Sequence, residues 1–311
     1  MSHLLREGVG AGGLARTRGT MLSLTVLGCH VAVQCEDAEA RDLLVANYGY
    51  MQGPRAAGDW QYVVGRSQGS SAFFMMRAGQ TPLLAADAGE FLWLFEKDLT
   101  VELQKRRHTL YFIHSAVLEW AGNACLLVGP SGSGKSTLTW ALLHDGCRYL
   151  SDELAPVDLQ TLQVYPYLHA LCLKETPSRL YPLPEKSLST ARALYIPLTE
   201  FSTGVGSGPA PVAAIFFLRY CPQASRPAVH PISKAEAGAR LFAHALNPLA
   251  HPAEGLDGAL AIAARSACFT LDTAELPTTC ALVTATLKRL FRGEQATGGI
   301  PGDESATTRA G

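Results

Sequence analysis

Asn123-Ala-Cys-Leu-Leu-Val-Gly129-Pro-Ser-Gly-Ser-Gly-Lys135-Ser136-Thr137-Leu-Thr-Trp-Ala-Leu-Leu-His144 is the stretch whose reading decides the fold. It opens as a short apolar strand, turns through a loop with three glycines in six residues, and closes as a helix. Leu138, Ala141 and Leu142 share the inward face of that helix, and Gly146 stands where a helix C-cap belongs. An apolar strand feeding a tight loop and then a helix is the repeating unit of α/β folds.

The loop has the pattern G-x-x-x-x-G-K-[ST], and each fixed residue has a physical reason. Glycines let the chain curl so that successive backbone N–H groups point at one anion. Lys135 adds a positive point charge, Ser136 offers a hydroxyl to Mg²⁺, and the helix start turns its positive end to the same place. Gly129, Pro130, Ser131, Gly132, Ser133, Gly134, Lys135, Ser136 and Thr137 are therefore the expected nucleotide-binding residues. Neither Asp-x-x-Gly nor Asn-Lys-x-Asp occurs, as a GTPase would require, and Leu-Ser-Gly-Gly-Gln of ABC-type ATPases is also missing. The strand-like run 212–218 ends in Arg219 rather than an acid, so the nearest acids after a strand are Asp152 and Glu153, 17 residues beyond Lys135.

Those spacings carry a resemblance. Leu126-Leu-Val-Gly-Pro-Ser-Gly-Ser-Gly-Lys-Ser-Thr137, followed by Gly146-Cys-Arg-Tyr-Leu-Ser-Asp-Glu153, resembles the catalytic core of HPr kinase/phosphorylase. It is still more similar to the HPr-kinase-related kinases encoded beside peptide-modification clusters, those of lasso peptides included. The resemblance is specific over residues 109–175, and it implies an α/β P-loop kinase domain of the HPr kinase/phosphoenolpyruvate carboxykinase type. It implies ATP and Mg²⁺ as cofactors and a phosphotransferase acting on a Ser or Thr hydroxyl. It also implies that Asp152 orients and deprotonates the acceptor, and that His114, 21 residues before Lys135, bonds Asp152 or the phosphoryl site. Lys174, in a Leu-Cys-Leu-Lys segment, is expected to supply positive charge beside Lys135, with Arg219 as a weaker candidate. Glu153 stands where the family has an aspartate; as a hard oxygen ligand it is expected to hold Mg²⁺ with Ser136, the roles of Asp152 and Glu153 being exchangeable. The family's downstream Gly- and Arg-containing segment is not found.

Working outward, residues 21–35 are β-prone, with further strands expected at 60–65, 71–77 and 81–85. A helix is predicted from Asp87, with Glu90 as its capping-box partner and Leu92, Phe95, Leu99 and Leu103 along its buried face. The basic run Lys105-Arg-Arg-His108 at its end suits the helix dipole. Strands are expected at 109–118, 149–151, 162–165 and 212–218, with a weakly structured loop at 176–211. Ser233-Lys-Ala-Glu236 starts one further helix, and Pro277 another with the stripe Cys280, Val283, Leu287 and Leu290. The expected organisation is an arm at 1–20, a small N-terminal α+β domain at 21–107, the kinase domain at 108–292 and a tail at 293–311.

Composition narrows the class. Of 311 residues, 48% are hydrophobic and 17% charged, as in a globular protein, and the formal charge of −1 favours neither nucleic acid nor an anionic membrane as partner. The eight cysteines form no Cys-x-x-Cys pair, and no run approaches membrane-spanning length, so a reduced, cytoplasmic protein is expected. The expected partner is a peptide or small-protein substrate; the resemblance points to a natural-product precursor peptide and allows a homo-oligomer. Two alternatives share the phosphate loop: a small-molecule kinase, and a non-catalytic ATP-binding sensor.

Overall fold

The computed structural model describes residues 19–291 apart from Gln68 and Pro222. The expected arm and tail lie outside the described residues, except that Thr20 already opens the first strand. The fold is mixed α/β.

Strands β1 (Thr20–Val26) and β2 (Cys29–Cys35) split the predicted 21–35 run into an antiparallel hairpin. Leu27 and Gly28 at its tip have φ of 50° and 78°, the twist that a two-residue hairpin turn requires. Helix α1 (Ala38–Tyr48) follows, capped by Asp37, whose side chain accepts from the Ala40 N–H at 3.0 Å. Strands β3 (Trp60–Arg66), β4 (Phe73–Arg77) and β5 (Leu83–Ala85) complete a five-stranded sheet in sequential order, with β3 parallel to β2 and the other pairs antiparallel.

Helix α2 (Ala88–Arg106) starts as expected: Asp87 accepts from the Glu90 N–H at 2.8 Å. Glu90 reaches back to the Ala86 N–H at 2.8 Å, one residue further than a standard capping box. Leu92, Phe95, Leu99 and Leu103 are all buried, each worth roughly 1.5–3 kcal/mol relative to exposure. The basic run has a second task beside the dipole, because Lys105 and Arg106 both pair with the buried Glu102. The core beneath α2 does not stop at residue 107. It continues through Leu110, Phe112, Leu154, Tyr167, Ala170 and Tyr195.

The larger sheet begins with β6 (Leu110–Ile113), β7 (Ser115–Trp120) and β8 (Asn123–Val128). The single strand expected at 109–118 is broken at His114, since β6 pairs with β10 (Ala155–Asp158) while β7 pairs with β8 and β9 (Arg148–Ser151). Helix α3 (Lys135–His144) lies between β8 and β9. It ends in a Schellman motif: Cys147 N–H bonds Leu142 O at 3.0 Å and Gly146 N–H bonds Leu143 O at 3.3 Å, with Gly146 at φ 101°.

Strand β11 (Gln163–Val164) is shorter than expected, and β12 (Leu171–Leu173), β13 (Leu188–Ser189) and β14 (Leu194–Ile196) form a small sheet of their own. Residues 176–211 are otherwise mostly irregular. Strand β15 (Ala210–Tyr220) runs parallel to β8 on one side and to β17 (Ala267–Thr273) on the other. Between them in sequence come β16 (Ala228–Pro231), α4 (Lys234–Ala243) and α5 (Leu256–Arg265), and α6 (Leu276–Leu290) follows.

Both faces of this parallel centre are covered, which is why β8 and β15 read as uninterrupted apolar runs. Cys125, Leu127, Ala214, Phe216 and Leu218 face α3 and α6, while Ala124, Leu126, Ile215 and Phe217 face α4 and α5. Cys280, Val283 and Leu287 of α6 are buried as expected; Leu290, at the helix end, is exposed. The eight cysteines are free thiols.

Candidate active site

Three parallel strands, β8, β15 and β17, end on the same side, where open α/β sheets bind ligands. Val128 leads directly into the glycine-rich loop. Gly129 packs so tightly that a Cβ there would lie 2.7 Å from Ser133 Oγ. Gly132 and Gly134 have φ of 83° and 89°, which only glycine adopts freely, and the space beside each is open. The buried Lys135 donates its ammonium to Gly129 O at 2.8 Å and Pro130 O at 3.2 Å. Burial lowers its pKa, an effect that Glu153 and Asp152 oppose.

The acid pair caps β9. Asp152 is 1% exposed, and its Oδ1 has no hydrogen-bond partner. Burial and the charge of Glu153 push its pKa up to about 7, against the pull of the Ser136 hydroxyl, the Cys172 N–H and Lys135. Glu153 moves the other way. Burial alone would raise it, but His114 through both hydrogen bond and charge, with His169 and Lys135, holds it below the usual carboxylate range. Two adjacent carboxyls are thus separated by their surroundings, one inclined to hold a proton at neutral pH and the other ionised.

His114 was expected on Asp152 or at the phosphoryl site. Its Nε2 instead lies 3.1 Å from Glu153 Oε2, because the break between β6 and β7 aims it at the outer member of the pair. Lys174 reaches the loop, donating to Ser131 Oγ at 2.7 Å. Arg219 does not join the cleft chemistry, since Asp272 on β17 holds its guanidinium through two bonds of 2.6 and 2.7 Å. Ser136 stands in the first turn of α3 beside Asp152.

A cleft of about 940 Å³ runs past these groups. Lys174, Glu153, His114 and Arg192 line one end, while Tyr220, Thr273, Ala274, Leu276 and Thr279, all uncharged, line the other. A second cavity of about 370 Å³ adjoins the charged end and shares Trp93, His114, Glu153, Cys172 and Tyr195 with it.

No family model and no curated protein matches this chain. Among solved structures it is similar to the Hpr(Ser) kinase/phosphatase from Coxiella burnetii, at 12% identity, over 59% of this chain and 97% of that one, with a TM-score of 0.31. A likeness that loose carries no functional argument. The chemistry has to be read from the site.

The residues fit a magnesium nucleotide. The curled loop leaves open space at Gly132 and Gly134, Lys135 stands at its base, and the unpartnered Asp152 Oδ1 is a buried acceptor. Among the described residues no group of three or more His, Cys, Asp or Glu could hold a metal by itself. Mg²⁺ in a phosphate loop takes only one or two protein oxygens and the rest from phosphates and water, so Ser136 and the acid pair suffice. No described helix is long and apolar enough to cross a membrane. Sequence reasoning missed Trp93, Glu96, His169, Arg192, Tyr195 and Tyr220, which belong to no local motif and meet only through the fold.

Proposed function

We propose that the chain is a magnesium- and ATP-dependent kinase that phosphorylates an aliphatic hydroxyl, in the first instance a Ser or Thr of a peptide or small protein, in the reduced cytoplasm. The observation that carries this reading is the buried Asp152, its Oδ1 unpartnered and its pKa raised to about 7, beside Lys135 and a glycine-rich loop.

Phosphoryl transfer needs little covalent chemistry from a protein; it needs positioning and charge. When bound, Mg·ATP supplies the γ-phosphoryl group, whose bond to the bridging oxygen is exchanged for one to the acceptor oxygen, leaving ADP. Lys135 and backbone N–H groups of the loop from Ser131 to Thr137 would hold the phosphate oxygens. Ser136 and Glu153 would hold the metal, Glu153 suited to it by staying ionised. Asp152 accepts the hydroxyl proton, and a pKa near 7 lets it do so at neutral pH. His114 positions Glu153, and Lys174 adds positive charge at the loop. The uncharged end of the cleft, with Tyr220 and Leu276, suits the base, because the triphosphate must lie against the charged end.

The test is transfer from γ-labelled ATP with Mg²⁺ to Ser- and Thr-containing peptides and to small alcohols, the phosphate being located by mass spectrometry. Label on an acceptor hydroxyl that disappears in Lys135→Ala and Asp152→Ala is the expected result. ATP binding without transfer to any acceptor would favour a nucleotide sensor and overturn the role of Asp152.

A further inference from the structure

At His114 and Glu153 the cleft adjoins the 370 Å³ cavity, which is lined by α2 residues Leu92, Trp93, Glu96, Lys97, Thr100 and Gln104 and by Glu153. That volume is at the lower end of the range for small-molecule sites. Leu92 and Trp93 of α2, Tyr195 and Leu246 give it apolar walls. His169, only 5% exposed, is among its lining residues, and its buried Nε2 has no hydrogen-bond partner. A buried imidazole nitrogen left unpaired is costly, and the cavity is where a partner would come from.

The charge around the cavity is also selective. Glu96 and Glu153 both line it. Glu96 is fixed there by the Tyr48 and Tyr167 hydroxyls, the latter at 2.8 Å. The nearest permanent cation, Lys97, is exposed, with its ammonium drawn 5.0 Å over the ring of Trp93. A carboxylate or phosphate entering here would meet two acids and one solvated lysine.

We infer that this cavity is the acceptor seat of the proposed kinase, built for a hydroxyl on a neutral, largely apolar body of one or two side chains' bulk, with His169 Nε2 hydrogen-bonding that hydroxyl. The inference rests on the kinase reading for the direction of transfer, but not for binding. It gives the N-terminal segment a task, because α2 supplies one wall of the site. The same chemistry can come from a peptide segment or from a free alcohol.

Two probes separate those sources: the capped dipeptide N-acetyl-Ser-Leu-amide and free 2-phenylethanol. Binding to the full chain with ADP and Mg²⁺ is followed by calorimetry, and transfer by labelled ATP. Wild type is expected to bind at least one probe, and to bind N-acetyl-Ser-Leu-amide more tightly than N-acetyl-Ala-Leu-amide. Thr100→Phe and Leu246→Trp, which fill the cavity from two sides, should each weaken the bound probe at least tenfold while ATP affinity stays unchanged. His169→Leu should abolish the Ser-over-Ala preference, and His169→Gln should restore part of it. If neither probe binds wild type, or if an anionic N-acetyl-Ser-Asp-amide binds better, the assigned class is overturned. If transfer occurs and both filling variants leave it unchanged, the seat is elsewhere although the kinase stands. If the probes bind and the filling variants expel them but no transfer occurs, the seat stands and the kinase reading fails.

Discussion

Two cavities meet at His114 and Glu153, and they are built differently. The larger is the more polar of the two, and its loop, helix start and Glu153 come from within 25 residues of one another at the ends of parallel strands. The smaller is apolar-walled and assembled from positions between Asn47 and Leu246. A site for a triphosphate depends on backbone N–H groups and a helix end, so a short run of sequence can specify it. A site for an apolar body depends on side chains brought together by packing.

The largest effect should come from the buried acid next to that junction. Asp152→Asn keeps the size and loses the proton acceptor, so transfer should fall by ~10²–10⁴ while nucleotide affinity changes little. In wild type, transfer should rise about tenfold per pH unit below pH 7 and level off above it, as Asp152 ionises. A pH–rate profile of kcat/KM checks this. An unchanged rate in Asp152→Asn would move the base elsewhere and dissolve the division of labour between the acids. Next in size, Lys135→Ala should cost about 100-fold or more in nucleotide affinity, since it removes a buried charge from the phosphate site. Titration with a fluorescent nucleotide reads this, and the same variant should leave probe binding in the smaller cavity intact.

The contrast also explains how much was legible beforehand. The loop 129–134, helix α3 and its Gly146 cap could be read because each depends on neighbours in sequence. The buried face of α2 was visible for the same reason. Helix α1 was missed because its Asp37 cap has alanine, not Glu or Gln, three residues on, and its apolar face is weak. Helix α5 was missed because no side chain caps it and Gly255 precedes it in a left-handed conformation. Strand β17 was missed although it completes the parallel centre; only its partner β15 reveals its place. The sequence points His114 to Asp152 or the phosphoryl site, whereas the bend that turns it to Glu153 is a tertiary feature. His169 has no motif around it at all.

A smaller effect distinguishes the two acids without any substrate. The folded pKa of Asp152, about 7, lies above its unfolded value of 3.8, so between those limits the folded state holds a proton the unfolded chain has released. The associated stability is complete below pH 4 and is lost as pH rises to 7. Asp152→Asn cannot ionise. In the nucleotide-free protein it should match wild type near pH 4 and exceed it at pH 8 by on the order of 2–4 kcal/mol. Thermal melts at the two pH values test this. Equal stabilities at pH 8 would mean that Asp152 is ionised at no cost, and its selection as proton acceptor over Glu153 would lose its basis.

The smallest effects concern two cations that the sequence could not rank. Lys174 and Arg219 both follow short apolar strands, and either could have faced the phosphates. Lys174 donates to Ser131 within the loop, whereas Nε and Nη2 of Arg219 both donate to Asp272 at the exposed surface. An arginine held in that way has its charge already countered by a carboxylate and its fork tied to β17 rather than to the loop. Lys174→Ala should therefore slow transfer about tenfold, less than the ~10²–10³ lost with an enclosed donor, because the lysine is solvated. Arg219→Ala should leave kcat and KM within about twofold of wild type, the size of effect expected when an exposed ion pair is broken. Should the arginine prove the costly one, the charged end of the cleft has been drawn on the wrong side, and the seat for the base at Tyr220 would have to be exchanged with the seat for the acceptor.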